Sequence, residues 1–170
     1  MTIEIRNAIG IEQSALESCA KLYCDIWREP PWNEDFWKEE NVLIDMEKQL
    51  QKDDARAYFA LCDEKVVGFT WGYIVSPNEM NVISNTDFWS GEDLFYIDEL
   101  AVKKGFRSKG LGKQLTLQII SGLKHNAVLR TDQKAQAARE VYRNCGFSEL
   151  PVIDGVHASR SYWIRKLKLT

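Results

Sequence analysis

One stretch near the middle of the chain constrains the fold most, because it changes from strand character to helix character through a glycine-rich turn. Leu94–Val102 is rich in branched and aromatic residues, which favours a strand, and Leu111–Lys124 repeats apolar residues at helical spacing. The turn between them contains Gly105 and Gly110, and Gly112 is the second residue of the helical segment. Glycine has no Cβ, so the backbone there can approach a ligand closely. The pattern predicts a strand–turn–helix unit.

This turn has the charge expected of an anion-binding site. The first N–H groups of a helix have no partner inside the helix, and the helix dipole adds partial positive charge at the same end. Arg107, Lys109 and Lys113 place full charges around that point. Such a unit can bind a pyrophosphate. From the turn alone, a ligand site and a helix start with solvated basic side chains remain equal alternatives.

Two other nucleotide-binding loops are excluded by the spacing. Gly105 and Gly110 are spaced as in a P-loop, but Leu111 and Gly112 stand where that motif requires Lys and then Ser or Thr. Gly110 and Gly112 begin like a dinucleotide fingerprint, but Leu115 occupies the third glycine position and no βαβ unit begins the chain.

The rest of the chain predicts one mixed α/β domain spanning residues 1–170, with no repeat or linker. The predicted strands are Thr2–Arg6, Ala57–Cys62, Val66–Val75, Leu94–Val102, Ala127–Thr131, Glu149–Ile153 and Ser161–Leu167. The predicted helices are Ile11–Trp27, Glu34–Lys52, Leu111–Lys124 and Ala135–Asn144. Ser76–Gly91 is polar and contains proline and asparagines, so we interpret it as a long loop, which in a compact domain is often functional.

The composition of the chain limits which binding partners and cofactors are expected. A formal net charge of −3 gives no broad attraction for nucleic acid or an anionic membrane, so neither is expected. No run reaches the length of a membrane span, and the first residues do not resemble a signal sequence. The four cysteines lack zinc-site spacing and histidine partners, so we expect no metal, reduced core thiols and a cytoplasmic location.

Three motifs in order resemble the GNAT superfamily of N-acetyltransferases. The family's Gln/Arg-x-x-Gly-x-Gly/Ala is matched by the run Arg107, Ser108, Lys109, Gly110, Leu111, Gly112. Its acidic strand end is matched by Ile97–Val102, and its Ala-x3-Tyr-x3-Gly-Phe by Ala138–Phe147. The order of elements agrees as well. A family asparagine is replaced by Ala135, so its contact is missing or supplied by Asp132, Gln133 or Gln136.

The resemblance implies the fold and the donor. It implies a central, mostly antiparallel mixed sheet of six to seven strands flanked by about four helices, and acetyl-CoA as co-substrate. The segment Arg107–Lys113 would hold the pyrophosphate, and Leu100, Ala101 and Val102 would offer backbone groups to the pantetheine arm and the thioester carbonyl. Lys113 and Asn144 complete the expected CoA-binding residues. The resemblance also allows a homodimer.

The resemblance further implies direct acetyl transfer to a primary amine. Tyr142 matches the tyrosine proposed to protonate the departing CoA thiolate. Asp98 and Glu99 are candidate bases; neighbouring strand residues point to opposite faces unless a bulge intervenes. We rank Asp98 slightly above Glu99, because several small-molecule enzymes of the family have an acidic residue there. A salt-bridged or solvated carboxylate is the alternative for each.

The acceptor site is expected around the first two helices. Trp32, Trp37, Tyr73 and Asp98 are the candidate acceptor-binding residues, and we expect the segment Arg160–Trp163 to approach them. An aromatic wall with nearby carboxylates suits an amine. The acceptor itself stays open: a small molecule is favoured, and a protein N-terminus or lysine is the alternative. A non-catalytic domain that binds acyl-CoA, and a nucleotide hydrolase, are the other classes.

Overall fold

A seven-stranded sheet flanked by helices forms the protein. The computed structural model describes residues 1–168. Its strands are β1 Glu4–Asn7, β2 Arg56–Cys62, β3 Lys65–Val75, β4 Leu94–Val102, β5 Ala127–Asp132, β6 Ser148–Ile153 and β7 Arg160–Arg165. Its α-helices are α1 Gln13–Arg28, α2 Glu39–Leu50, α3 Pro77–Ser84, α4 Leu111–Ile120 and α5 Gln136–Asn144. The predicted mixed α/β fold is confirmed, with seven strands in the order β1-β2-β3-β4-β5-β7-β6.

The two central strands pair only over part of their length. All neighbouring strands are antiparallel except β4 and β5, which are parallel. They pair from Phe95 with Ala127 to Ile97 with Leu129 and no further. Beyond that point β4 continues on β3 alone, and β5 continues on β7 alone. The sheet therefore opens in its middle.

Helices cover both faces of the sheet. On one face α1 and α2 pack on β2 and β3 around Phe59, Phe69 and Trp71. On the other face α4 and α5 pack on β4 and β5 around Phe95 and Leu129. We call these the α1 face and the α4 face. Burial of these large apolar side chains is the main favourable contribution to the fold.

A β-bulge changes the direction of side chains halfway along β4. Trp71 pairs with Glu99, whereas the next residue, Gly72, pairs with Ile97, so Asp98 is an extra residue in β4. The extra residue reverses the alternation of the strand, and both Asp98 and Glu99 point to the α1 face. A Cβ at Gly72 would overlap the carbonyl oxygen of Tyr96, so the close strand approach beside the bulge requires glycine.

Helix boundaries differ from the prediction in three places. The expected loop contains α3, which begins with Ser76 bonded to the Glu79 N–H, the Glu79 side chain bonded in return, and Pro77 in the first turn. The sequence signal for this capping box was present and missed. The second helix begins at Glu39 rather than Glu34, and α4 ends at Ile120, two residues before Gly122 adopts φ +68°.

Candidate active site

A cavity of about 520 Å³ lies where β4 and β5 separate. Residues from both faces of the sheet line it. The α1 face contributes α1, α2 and the connection between them, and the α4 face contributes Ala138 and Tyr142 of α5. The connection between β6 and β7 adds His157, and β7 adds Arg160. The opening in the sheet thus joins two sides that the helices otherwise separate.

The carboxylates of Asp98 and Glu99 form one wall of the cavity. Asp98 accepts a hydrogen bond from the Tyr73 hydroxyl at 2.9 Å, and Glu99 accepts one from the Tyr23 hydroxyl at 3.0 Å. Neither forms a salt bridge within residues 1–168. The bulge therefore brings the two predicted bases together on one face, where regular alternation would have separated them.

Burial sets the protonation of this pair. It raises the pKa of Asp98, against the opposing effects of the Tyr73 hydrogen bond and of the charges on Arg130 and Lys52. The pKa of Glu99 is raised to about 8, chiefly by burial and then by the negative charge of Asp98. The pKa of Tyr23 is raised as well, chiefly by burial, so its hydroxyl stays neutral and donates. Glu99 can therefore gain and lose a proton near neutral pH.

Two arginines, Arg130 and Arg160, line the wall of the cavity on the β5–β7 side of the split. Arg130 follows the last paired residue of β5, and its Nη1 donates to Asp154 Oδ2 at 2.9 Å. The same carboxylate accepts from the Tyr162 hydroxyl, and its other oxygen accepts from the backbone N–H groups of Val156 and His157. Burial opposes ionisation of Asp154, but these hydrogen bonds lower its pKa to about 2. Asp154 is thus a fixed anion that orients Arg130.

Sequence reasoning missed most of this wall. Arg160 belongs to the segment expected near the acceptor, but Arg130, Asp154 and His157 carried no motif. Alternation along β5 and β7 could have paired Arg130 with Tyr162 only if the register of the two strands had been known.

Tyr142 lies on the opposite side of the opening. Its residue is buried, it lines the cavity, and its ring packs against Phe147 at 6.1 Å between centroids. Burial raises its pKa, so the phenol is neutral and has a proton to donate. The structure therefore places the predicted acid and the predicted bases around the same cavity.

The glycine-rich turn has the backbone shape expected of the anion-binding turn. Gly110 adopts φ +79° immediately before α4, and Ser108 adopts φ +62°. The Arg107 Nε donates to the Val102 carbonyl at 2.7 Å, and its Nη2 pairs with Glu29 Oε2 at 2.8 Å. Arg107 is therefore held between the end of β4 and the end of α1.

The other predicted CoA-binding residues differ in their exposure and in whether they line the cavity. Lys109 and Lys113 are exposed at the start of α4, whereas the Leu111 side chain is buried, leaving only its backbone for a ligand. The strand end Leu100–Val102 has no partner on its β5 side. Asn144 is exposed at the end of α5 and does not line the cavity. Ala135 and Asp132 line it, whereas Gln133 and Gln136 do not.

Aromatic side chains form the end of the cavity where the acceptor is predicted to bind. The lining residues are Tyr23, Trp27, Trp32, Phe36, Trp37 and Trp71. Trp32 is half-buried and packs edge-on against Trp27 at 5.3 Å. The Trp37 Nε1 donates to Glu34 and the Trp71 Nε1 to Gln49. Tyr73, also predicted at the acceptor, is buried outside the lining and contacts two lining residues, Asp98 through its hydroxyl and Tyr96 through its ring.

Comparison with known proteins decides the family. A family model described as Acetyltransferase (GNAT) family matches residues 16–147, which is most of the chain. The chain belongs to the GNAT acetyltransferase family. No curated protein sequence matches it significantly.

Solved GNAT-like structures share the fold over nearly the whole chain. A protein of Pyrococcus horikoshii OT3 is similar with a TM-score of 0.74 at 18% identity, covering 99% of this chain and 100% of its own. PaiA N-acetyltransferase of Thermoplasma acidophilum, in complex with coenzyme A, gives 0.70 at 18% identity, covering 98% and 100%. NAA60 of Arabidopsis thaliana, in complex with a bisubstrate analogue, gives 0.67 at 20% identity, covering 98% and 100%.

Residues 1–168 contain neither a membrane-spanning helix nor a metal-binding group of side chains. No helix in this part of the chain is long and apolar enough to cross a membrane. Among the same residues, no three His, Cys, Asp or Glu side chains are grouped so that they could hold a metal ion.

Proposed function

We propose that this GNAT acetyltransferase moves the acetyl group of acetyl-CoA directly to a primary amine of a small molecule. The observation that carries the proposal is the pair Asp98 and Glu99, which face one cavity with Tyr142 across the opening in the sheet. A domain that only binds acyl-CoA needs neither a buried carboxylate pair nor a phenol facing it.

The α4 face is the proposed donor side. The N–H groups at the start of α4, with Lys109 and Lys113, would bind the pyrophosphate. The pantetheine arm would then enter between β4 and β5, beside the unpaired edge Leu100–Val102. A backbone N–H on that edge would polarise the thioester carbonyl and stabilise the negative charge that develops on its oxygen.

The carboxylates would prepare the acceptor amine. An amine arrives protonated, so the pair can bind its ammonium group and accept one proton, directly or through water. A raised pKa places Glu99 where proton transfer is effective, and it is our preferred base, while Asp98 supplies charge for binding. The free amine then attacks the carbonyl carbon, the C–S bond breaks, and Tyr142 protonates the departing thiolate. The attacking nitrogen still carries one proton more than the amide product, and this second proton passes, directly or through water, to the tyrosinate and restores the phenol.

The size of the cavity supports a small-molecule acceptor. Pockets for small molecules commonly have volumes of roughly 300–1,000 Å³, and about 520 Å³ lies within that range. A peptide is the second candidate acceptor, since the solved structures with this fold include the NatC complex bound to Gag peptide and CoA, at a TM-score of 0.72 and 16% identity. The cytoplasmic location and the homodimer remain predictions; four free, buried cysteines suit a reducing compartment.

A thiol-release assay tests the proposal. Purified protein with acetyl-CoA should release CoA thiol with at least one member of a panel of amines, amino acids, antibiotics and peptides, and the product should carry an N-acetyl group by mass spectrometry. Tyr142→Phe should lower turnover while acetyl-CoA affinity, measured by calorimetry, is retained. Acetyl-CoA binding without turnover across the panel would instead support a non-catalytic acyl-CoA-binding domain.

A further inference from the structure

We propose that the acceptor carries a carboxylate beside its amine and that Arg130 binds this carboxylate. The inference rests on the proposed function, because it assigns a second group to the molecule whose amine meets Asp98 and Glu99. It names the acceptor class as amino acids and similar amino-carboxylates.

Arg130 and the carboxylate pair lie on the same face at the point of separation. Ile97 and Leu129 are the last paired residues of β4 and β5, so Asp98 and Arg130 are the first residues after the split. Arg130 pairs with Tyr162 in the β5–β7 register, and Tyr162 lies in the same cluster as Tyr73 and Tyr96 on the α1 face. All three charged side chains therefore reach the cavity from one side.

The guanidinium of Arg130 has donors to spare. Only Nη1 forms a hydrogen bond within residues 1–168, to Asp154, although an arginine carries five N–H groups. The Arg130 side chain is 26% exposed, whereas that of Asp154 is 1% exposed. Asp154 accepts a hydrogen bond from one end of the guanidinium and fixes its position. The remaining N–H groups are available to donate to a ligand inside the cavity.

The position of Arg130 is not explained by a role in neutralising Asp98 and Glu99. Within the described part of the chain its only salt bridge is to Asp154, and none joins it to Asp98 or Glu99. The pKa of both carboxyls stays raised by burial despite the positive charge of Arg130. A guanidinium is suited to planar recognition of a carboxylate.

The cavity holds charges of both signs, as binding of a zwitterion requires. Asp98 and Glu99 on β4 are placed to receive an ammonium group, and Arg130 on β5 and Arg160 on β7 lie beyond the split in the sheet. Three further carboxylates, Glu34, Asp45 and Asp132, also line the cavity. The tryptophan side of the cavity is left for an apolar or aromatic side chain.

Matched acceptors test the inference. The first set is phenylalanine, phenylalaninamide and phenethylamine, and the second is leucine, leucinamide and isoamylamine; rates are compared at equal concentrations of free amine. We expect the amino acid of each set to exceed its amide and its amine in kcat/KM by roughly 10- to 100-fold, mainly through KM, as for a hydrogen bond to a charged group.

Variants of Arg130 assign the preference to this residue. Because the charge of Arg130 also acts on Asp98 and Glu99, the test is the ratio of kcat/KM values between acceptors. In Arg130→Gln the amino acid should lose its advantage over its amide and its amine, and Arg130→Lys should restore part of that advantage. Lys124→Gln, which removes an exposed charge away from the cavity, is the control. Thermal unfolding of each variant shows whether it is folded.

The outcomes separate the two proposals. Thiol release with amines but no preference for the carboxylate in either set would overturn the inference and leave the proposed function standing. An equal loss with all three acceptors in Arg130→Gln would also overturn it, because a structural role predicts that result. No thiol release with any acceptor, and no calorimetric binding of the amino acids to the CoA-bound protein, would reject both proposals.

Discussion

The two ends of the cavity are built in opposite ways. The donor end is a short continuous segment, Arg107–Lys113, exposed to solvent and basic. The proposed acceptor end is assembled from α1, α2, β3, β4, β5, β7 and two connections, and its charged residues Asp98, Glu99, Arg130 and Arg160 are half-buried. The proposed donor end would bind through backbone N–H groups that any sequence has, whereas the proposed acceptor end would depend on particular side chains held by distant ones.

The difference in exposure decides how strongly the charged groups at each end interact with their surroundings. Exposed charges at a helix start act through water and are weakened by salt, so each contributes little. Buried groups act without that screening, so removing one has a large effect and shifts the pKa of its neighbours. Substitutions at the acceptor end should therefore change chemistry, and substitutions at the donor end should change affinity for acetyl-CoA modestly.

The largest effect is expected at Glu99. Glu99→Gln keeps the shape but removes the proposed base, so kcat/KM should fall by roughly 10²- to 10⁴-fold, the usual contribution of acid–base catalysis. Acetyl-CoA affinity by calorimetry should be unchanged. Glu17→Gln on the exposed side of α1 is the control. A comparable loss in Asp98→Asn with little change in Glu99→Gln would transfer the role to Asp98.

The pH profile of activity should follow the ionisation of Glu99. With a pKa of about 8, Glu99 is protonated below that pH and cannot accept a proton. We expect kcat/KM to rise by about tenfold per pH unit up to pH 8 and then level off. Two acceptors with different amine pKa values should share this limb, and Glu99→Gln should lose it. A limb that moves with the acceptor would belong to the substrate.

Stability should depend on pH through Glu99 in the opposite direction. Its pKa is higher in the folded state, about 8, than the ordinary value of 4.5, so the folded state binds the proton more tightly. The free energy of unfolding should therefore fall as pH rises from 4.5 to 8, by at most about 1.4 kcal/mol per unit. Urea unfolding of Glu99→Gln should show a smaller fall, and identical slopes would contradict the burial argument.

At the donor end, two glycines give a matched test. Gly110 adopts φ +79°, so Gly110→Ala should lower the free energy of unfolding by roughly 1–2 kcal/mol. A Cβ at Gly112 would meet only Val102, at 3.9 Å, so Gly112→Ala should leave stability nearly unchanged. If the backbone contacts the pyrophosphate, Gly112→Ala should still weaken acetyl-CoA binding. Unchanged binding would place the ligand elsewhere.

The smallest effect is expected at Lys113. Lys113→Gln removes one exposed charge near the start of α4, and acetyl-CoA affinity should fall by roughly two- to fivefold at low salt. The difference should shrink as ionic strength increases. The acceptor KM should not change. A loss as large as that in Glu99→Gln would show that the two ends do not differ as described.

How far the sequence predicts the molecule follows the same division. The strand–turn–helix unit and the position of Tyr142 at the cavity were predictable because their sequence signals are local; their roles in binding and protonating CoA stay predictions. The carboxylate pair was found, but not its shared face, since the bulge depends on how β3 and β4 pair. Arg130 was missed because its role depends on the distant residue Asp154, and a single strand residue shows no partner.

The bulge at Asp98 has a consequence for engineering and for comparing related sequences. Removing one residue from a strand normally turns every later side chain to the other face. Removing Asp98 would instead leave Gly72 opposite Ile97 and Trp71 opposite Glu99 in an unbroken ladder. The fold can therefore accommodate a deletion at the bulge, at Asp98 or at Glu99, and sequences that lack one of these two residues can keep the same fold with a single carboxylate.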